Sequence, residues 1–396
     1  MSTRPITPVE WATDVLFTNP PAAGTATKVD PLAGKRAEGF LPTERPPAQH
    51  LNHVLNTIAK AAGFLIDAQW LNYSVINIQD HTPTISGGTF DVLDWSPDGG
   101  GAGVPRMVAV VDAITDAPAY SRDGRQWTGV SFSTTVGGPQ GPRCLFYSTV
   151  AGLWIYCGGG TGVSAIETSP TGETWTARVD PDAASNRMCL TEDPGGLIVM
   201  CRQSAAGFLT SPDGITWTAR ANPAATNNIN AVRWSAEQGQ FVAVGQDAAL
   251  TSPDGITWTD RSAGVTSAPG ALRDVAYDPV QDVWCAVGGV GAIVTSSDGI
   301  TWTDQSAGIP ATLGNPLFKS VESNGAGSFL AVGGSGELLH SVDGGVTWRG
   351  VQPELQASVE GAKYLNSQWV LFGQCPAGLG TYPGVCLGLR TAGFAL

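Results

Sequence analysis

The stretch SPDGITW at 211–217, repeated letter for letter at 252–258, decides how this chain is read. Variants of it are SSDGITW at 296–302, SVDGGVTW at 341–348, SRDGRQW at 121–127 and SPTGETW at 169–175. The last has Thr171 where the others carry aspartate. A serine hydroxyl and an aspartate carboxylate accept backbone N–H bonds inside a tight turn, and glycine tolerates the positive φ such turns need. Alternation along Ile215, Thr216, Trp217 and Thr218 predicts a strand with Ile215 and Trp217 on one face and both threonines on the other. Each copy therefore reads as a strand–turn–strand corner that buries a tryptophan. The defining residues are Ser121, Asp123 and Trp127; Ser169 and Trp175; Ser211, Asp213 and Trp217; Ser252, Asp254 and Trp258; Ser296, Asp298 and Trp302; Ser341, Asp343 and Trp348. Their role is first of all architectural.

Working outward from the corners, each unit has the same internal order. In 231–259 it reads AVRWS, a turn at Glu237–Gly239, FVAVG, AALT, the corner and ITWT; in 274–303 it reads DVAYD, an Asp278-Pro279 turn, VWCAVGG, AIVT, the corner and ITWT. A third unit turns at Asn324-Gly325, and such dipeptides favour tight turns. Successive corner tryptophans at 127, 175, 217, 258, 302 and 348 fall 41 to 48 residues apart. Four strands at that period are the signature of a β-propeller blade. The tail at 363–396 offers three more strands (KYLNSQ, QWVLFG, VCLGLR) without a corner. A seventh blade would borrow its outer strand from the segment around Thr82–Ser86, which would leave no open sheet edge between first and last blades. The expected fold is all-β, a seven-bladed propeller over 83–396, with six or eight blades as alternatives.

Upstream the pattern changes. Residues 1–46 scatter Trp11, Val15, Leu16 and Phe17 among prolines and glycines, which predicts an extended arm. From 47 to 72, Leu51, Val54, Leu55, Ile58, Ala61 and Leu65 recur at three and four, which predicts one amphipathic α-helix after Pro46-Pro47. Its stripe packs either on its own protein or on other copies or a docking partner. Trp11 and the stripe residues Leu51, Val54, Leu55, Ile58 and Leu65 are the docking or oligomerisation candidates. Residues 73–82 read as a connector with strand character.

Composition narrows the function classes. The 396 residues include 51 glycines and 13 tryptophans, only 14% are charged, and the net charge is −13 with a pI near 4.6. No basic run offers a surface for nucleic-acid phosphates. No run approaches the roughly 18 apolar residues of a membrane span, and MSTRPITPVEWATDV lacks the apolar core of a signal peptide. Seven cysteines without a CxxC spacing speak against a metal or redox motif. Cys144 and Cys157, like Cys189 and Cys201, flank one expected hairpin each; buried thiols are the expectation, with cross-strand disulfides the alternative.

Candidate chemistry is sparse. One corner aspartate per blade cannot supply the carboxylate pair, about 5–10 Å apart, that glycoside hydrolysis requires. Arg233 and Arg273 lie in or beside first strands of blades, where they could line a channel or pair with acids such as Asp274 and Glu237. His50 and His53 sit three apart without a further ligand, and His81 and His340 stand alone, so neither a metal site nor a triad is expected. The glycine runs at 158–162 and 288–291 join strands and do not precede helices, which speaks against phosphate cradles. Tyr120, Trp154 and Tyr382 are candidates for stacking on sugar rings. No cofactor is expected.

The Ser–x–Asp–Gly–x–x–Trp corners resemble the Asp-box of sialidases, sortilin-type receptors, photosystem II assembly-factor propellers and some xyloglucan hydrolases. That resemblance implies the fold and is nearly silent on function. A sialidase would add an arginine cluster and an Arg–Ile/Leu–Pro motif, which this sequence lacks. The leader is different. Trp11-Ala12, Pro20-Pro21, Lys28, Pro31, Lys35, Gly39-Phe40, Pro46-Pro47, Gln49 and Asn52, followed by the helix, resemble the attachment segment of bacteriophage tail-fibre proteins. The resemblance implies a non-enzymatic virion protein, made without a signal peptide. Its N-terminus would dock to tail or baseplate proteins, self-associate there, and display the propeller to host-surface glycan or protein. A polysaccharide-cleaving tail enzyme and an intracellular assembly factor are the alternatives.

Overall fold

Each corner-bearing unit folds into one antiparallel sheet whose strands follow chain order. The computed structural model describes residues 73–76, 89–96, 106–112, 117–122, 127–133, 144–160, 163–181, 187–202, 207–224, 228–265, 270–350, 359–365, 368–373 and 385–389. Among these, the strands form seven four-stranded sheets. Blade 1 runs Thr89–Ser96, Arg106–Asp112, Ala117–Ser121 and Thr128–Gly129. The first strands of blades 2 to 6 are Cys144–Ser148, Arg187–Glu192, Ile229–Ser235, Leu272–Asp278 and Phe318–Ser323. Blade 7 takes Val359–Leu365, Gln368–Gly373 and Val385–Leu389 from the end of the chain and Tyr73–Ile76 from before blade 1. First strands touch in order around the molecule, and that of blade 7 returns to that of blade 1. The result is a closed β-propeller.

The sequence explains why the sheets stack. Second strands such as Ile198–Arg202, Gln240–Gly245 and Phe329–Gly333 are nearly continuous apolar runs buried along their length, because both faces meet neighbouring blades. The corner tryptophans do the joining. Trp258 of blade 4 stacks on Phe208 of blade 3, with ring centroids 3.8 Å apart and planes at 3°. Likewise Trp175 packs with Val108 of blade 1, Trp217 with Ile155 of blade 2, Trp348 with Cys285 of blade 5, and Trp127 with Phe372 of blade 7. Burying such a side chain contributes about 2–3 kcal/mol and fastens a corner-bearing blade to the one before it; blade 7, which has no corner, packs on Leu330 and Val332 of blade 6 through the cluster that holds Val359, Trp369 and Leu371.

Two expectations are corrected. The closing strand is Tyr73–Ile76, pairing with Val385–Leu389, and not the stretch around Thr82–Ser86, which lies outside the described residues. Part of the expected 73–82 connector is therefore sheet. Pro83 offers no N–H for a ladder, whereas YSVI pairs at all four positions. Second, Ile215 does not share a face with Trp217: the isoleucine is 40% exposed and the tryptophan 7%. Residues 212–216 curl around a carboxylate, and the strand begins only at Thr218. Period-two alternation does not apply inside the curl. The arm at 1–46 with Trp11, the helix at 47–72 with Leu51, Val54, Leu55, Ile58 and Leu65, and Asp123, His50, His53, His81 and Tyr382 all lie outside the described residues.

Candidate functional site

Two places gather polar side chains: the corners and the central channel. In the corner of blade 3, Asp213 Oδ1 accepts from the backbone N–H of Ile215 at 2.8 Å and of Thr216 at 2.7 Å, and from the Ser211 hydroxyl at 3.0 Å. Asp254 and Asp298 repeat this arrangement. Asp343, in the longer corner, accepts from Thr347 N at 2.9 Å and from its hydroxyl at 2.6 Å. In the Thr171 copy, the Thr171 hydroxyl accepts from Glu173 N at 3.3 Å, and Ser169 accepts from Gly172 N at 2.7 Å as Ser296 does from Gly299 N. Trp175, Trp258 and Trp348 then donate back to the corner glycine carbonyl at 3.2, 3.1 and 2.8 Å, whereas the indole N–H groups of Trp217 and Trp302 are buried without a partner among the described residues.

Partial burial pushes these carboxyls upward, but the donated amide and hydroxyl bonds outweigh it and hold Asp213, Asp254, Asp298 and Asp343 below the ordinary carboxylate range. Each is consumed by its own turn. The corner glycine has its own reason. Gly299 sits at φ +71°, and a Cβ there would lie 2.6 Å from Val242 Cγ2 of the preceding blade. Only glycine satisfies both the backbone and the close approach.

The channel is lined by first strands and holds a cavity of about 580 Å³. Six of the seven first strands carry a β-bulge near their start, between Phe90 and Val92, Arg187 and Cys189, Ile229 and Ala231, Leu272 and Asp274, Phe318 and Ser320, and Val359 and Gly361. Two residues past the bulge come Asp94, Thr191, Arg233, Ala276, Glu322 and Lys363, so four charged groups share one tier. Burial pushes the carboxyls of Asp94 and Glu322 up, against the pull of Lys363. Lys363 is raised: burial lowers it, but Glu322 and Asp94 more than compensate.

The tier below mixes charge with sulfur. Arg233 donates from Nη2 to Asp274 Oδ1 at 3.3 Å and from Nη1 to Cys189 Sγ at 2.6 Å. Cys189 Sγ also donates to Leu190 O at 3.7 Å and Val232 O at 3.6 Å, and Cys144, on the neighbouring first strand, lines the same cavity. Lys319 pairs with Glu360 at 2.5 Å. Much of this polarity stitches blade to blade. Asp94 accepts from Tyr147 N at 2.8 Å, Thr191 from Trp234 N at 3.3 Å, and Asp274 from Val321 N at 3.1 Å and Ser320 Oγ at 2.8 Å.

Arg233 thus both lines the channel and pairs with Asp274, while Arg273 lines it and is exposed. Glu237 is exposed at the turn and joins neither arginine in an ion pair. Trp154 is buried in the blade 1–blade 2 core and takes no part in sugar stacking; Tyr120 is covered by the Arg106 guanidinium at 4.6 Å. The structure thus spreads the corner residues over separate blades; it brings together Asp94, Glu322 and Lys363, which sequence patterns did not mark, and places Cys144 and Cys189, expected only as hairpin thiols, on the channel wall. Cys144, Cys157, Cys189, Cys201 and Cys285 are all reduced thiols. Among the described residues no group of three or more His, Cys, Asp or Glu could hold a metal ion.

No protein-family model matches the sequence, and no curated protein does either. Solved structures match widely. A streptogramin B lyase aligns with a TM-score of 0.62 at 11% identity, over 81% of this chain and 98% of its own. YCF48 bound to a D1 peptide aligns with a TM-score of 0.54 at 16% identity, over 78% and 96%. A GH74 xyloglucanase from Xanthomonas campestris aligns with a TM-score of 0.53 at 15% identity, over 76% of this chain and 52% of its own. At such identities the likeness establishes a β-propeller and nothing about chemistry.

Proposed function

We propose that this chain is a virion protein whose leader mounts a binding propeller on a phage tail or baseplate and turns it towards the host surface. The observation that carries the reading is the junction. Residues 1–72, with their tail-fibre landmarks, run directly into Tyr73–Ile76, the strand that completes blade 7. The leader is thus continuous in sequence with a strand of the closing blade. The corner carboxylates are spent on their turns, which supports display over catalysis. Binding partners are other tail proteins on one side and host glycan or protein on the other, with self-association through the leader. The test is adsorption: fluorescent full-length protein should decorate host cells and their isolated envelopes, and equal labelling of unrelated cells would refute it.

A second reading, a polysaccharide-cleaving tail enzyme, draws on the channel, whose cavity is lined by Asp274 and Glu360 together with Arg233, Arg273, Lys319 and Lys363. Release of new reducing ends from host envelope polysaccharide would favour it over display.

A further inference from the structure

The bulges near the start of the first strands turn one side chain per blade towards the channel, and the proposed display role leaves those side chains unassigned. We propose that the channel is a binding site for small amphipathic carboxylates, in which Arg273 takes the carboxylate and an apolar body lies against Val92, Phe146 and Met188. A bulge leaves one residue outside the ladder and re-aims its side chain. In blades 3 to 7 the extra residues are Met188, Asn230, Arg273, Lys319 and Glu360, and all five line the cavity of about 580 Å³. That volume suits a small organic molecule.

The balance of charge points to an anion. The chain as a whole carries −13, yet Arg233, Arg273, Lys319 and Lys363 line the cavity against only Asp274 and Glu360, four cations to two acids and a surplus of two positive charges. Most of these cations are already engaged. Arg233 holds Asp274 at 3.3 Å, Lys319 holds Glu360 at 2.5 Å, and Lys363 shares its tier with Asp94 and Glu322. Arg273 remains: it is exposed and makes no ion pair or side-chain hydrogen bond with any described residue. A guanidinium fork matches a planar carboxylate with two parallel N–H···O bonds. One uncommitted cation, in a cavity that already holds two carboxylates, favours a single negative charge over the dianion of a phosphate.

The other side of the ring supplies the rest of the ligand's surroundings. Val92, Phe146 and Met188 belong to blades 1, 2 and 3, are half-buried, and line the same cavity; no charged side chain of those blades joins them in the lining. An inorganic anion would leave this wall in water, and a neutral apolar molecule would make no use of Arg273. An amphipathic carboxylate satisfies both. The site lies wholly within the propeller and works whatever the leader binds.

The experiment titrates the full-length protein with phenylbutyrate, followed by calorimetry and by the methyl signals of its methionines. A ligand of this size should bind with a Kd of roughly 1 mM. The Met188 methyl should shift, and that of the fully buried Met200 should stay. Phenylbutanol, phenylbutylamine, phenylbutyl phosphate and butyrate should each bind about tenfold more weakly or worse. Arg273→Gln should weaken phenylbutyrate about 10- to 100-fold at an unchanged melting temperature, and Arg273→Lys, which keeps the charge without the fork, should recover part of the loss. No binding of phenylbutyrate, an alcohol, phosphate or butyrate that binds as tightly, an unmoved Met188 methyl, or full affinity in Arg273→Gln would each overturn the proposal. The probe series uses the native protein, so a misfolding variant does not protect it.

Discussion

At the scale of single residues, the corner aspartates act as turn caps, and their loss should be felt in stability alone. Asp213→Ala strands the N–H groups of Ile215 and Thr216, and by analogy with helix caps it should cost about 1 kcal/mol in urea unfolding. Thr171 already shows the milder end of that series, since its hydroxyl accepts only from Glu173 N, at 3.3 Å, where Asp213 accepts from two amides. The pH dependence has a definite sign. Carboxyls held below their ordinary value add stability that is present above about pH 4 and lost as pH falls through the folded values. Asp94 has the opposite sign. Raised by burial, its contribution is complete below the ordinary value and shrinks as pH rises through the folded one. Asp94→Asn keeps a carbonyl oxygen for Tyr147 N and removes that dependence. Its stability relative to the native protein should therefore rise between pH 4 and pH 8, and a flat difference across urea titrations would contradict the assignment. The tryptophans were readable because one large apolar residue after Asp-Gly has only one way to be useful. Ile215 was misread because a carboxylate that accepts two successive amides imposes a curl no alternation rule anticipates.

At the scale of the element, fit between blades decides what a substitution costs. Gly299→Ala adds a Cβ 2.6 Å from Val242 Cγ2 at φ +71°, whereas Gly239→Ala at φ +60° meets nothing within 4 Å. Both carry the backbone penalty of about 1 kcal/mol, and only the first adds overpacking of about 1–3 kcal/mol. Equal losses in melting temperature for the two would contradict the blade-to-blade contact. The channel tier escaped sequence reading for a reason rooted in the same strands. Asp94, Arg233, Glu322 and Lys363 line up only when counted from a β-bulge, and a bulge leaves no fixed residue signature. The closing strand was misplaced because YSVI and the stretch around Thr82–Ser86 both look extended. Only Pro83, which removes a ladder donor, distinguishes them.

At the scale of the whole molecule, the closing blade is completed by a strand from upstream, Tyr73–Ile76, on which the proposed mounting role of the leader depends. A chain beginning at residue 77 leaves Val385–Leu389 as an open edge, and it should melt lower and aggregate at concentrations the full chain tolerates. A chain beginning at residue 73 keeps that strand and should melt close to the full-length protein. It loses only the leader, the proposed means of attachment. The decisive measurement is therefore the copy number of the 73–396 chain in purified particles, set against the full-length protein expressed at the same level. The account expects a folded propeller that is absent from particles; incorporation at full-length copy number would contradict it.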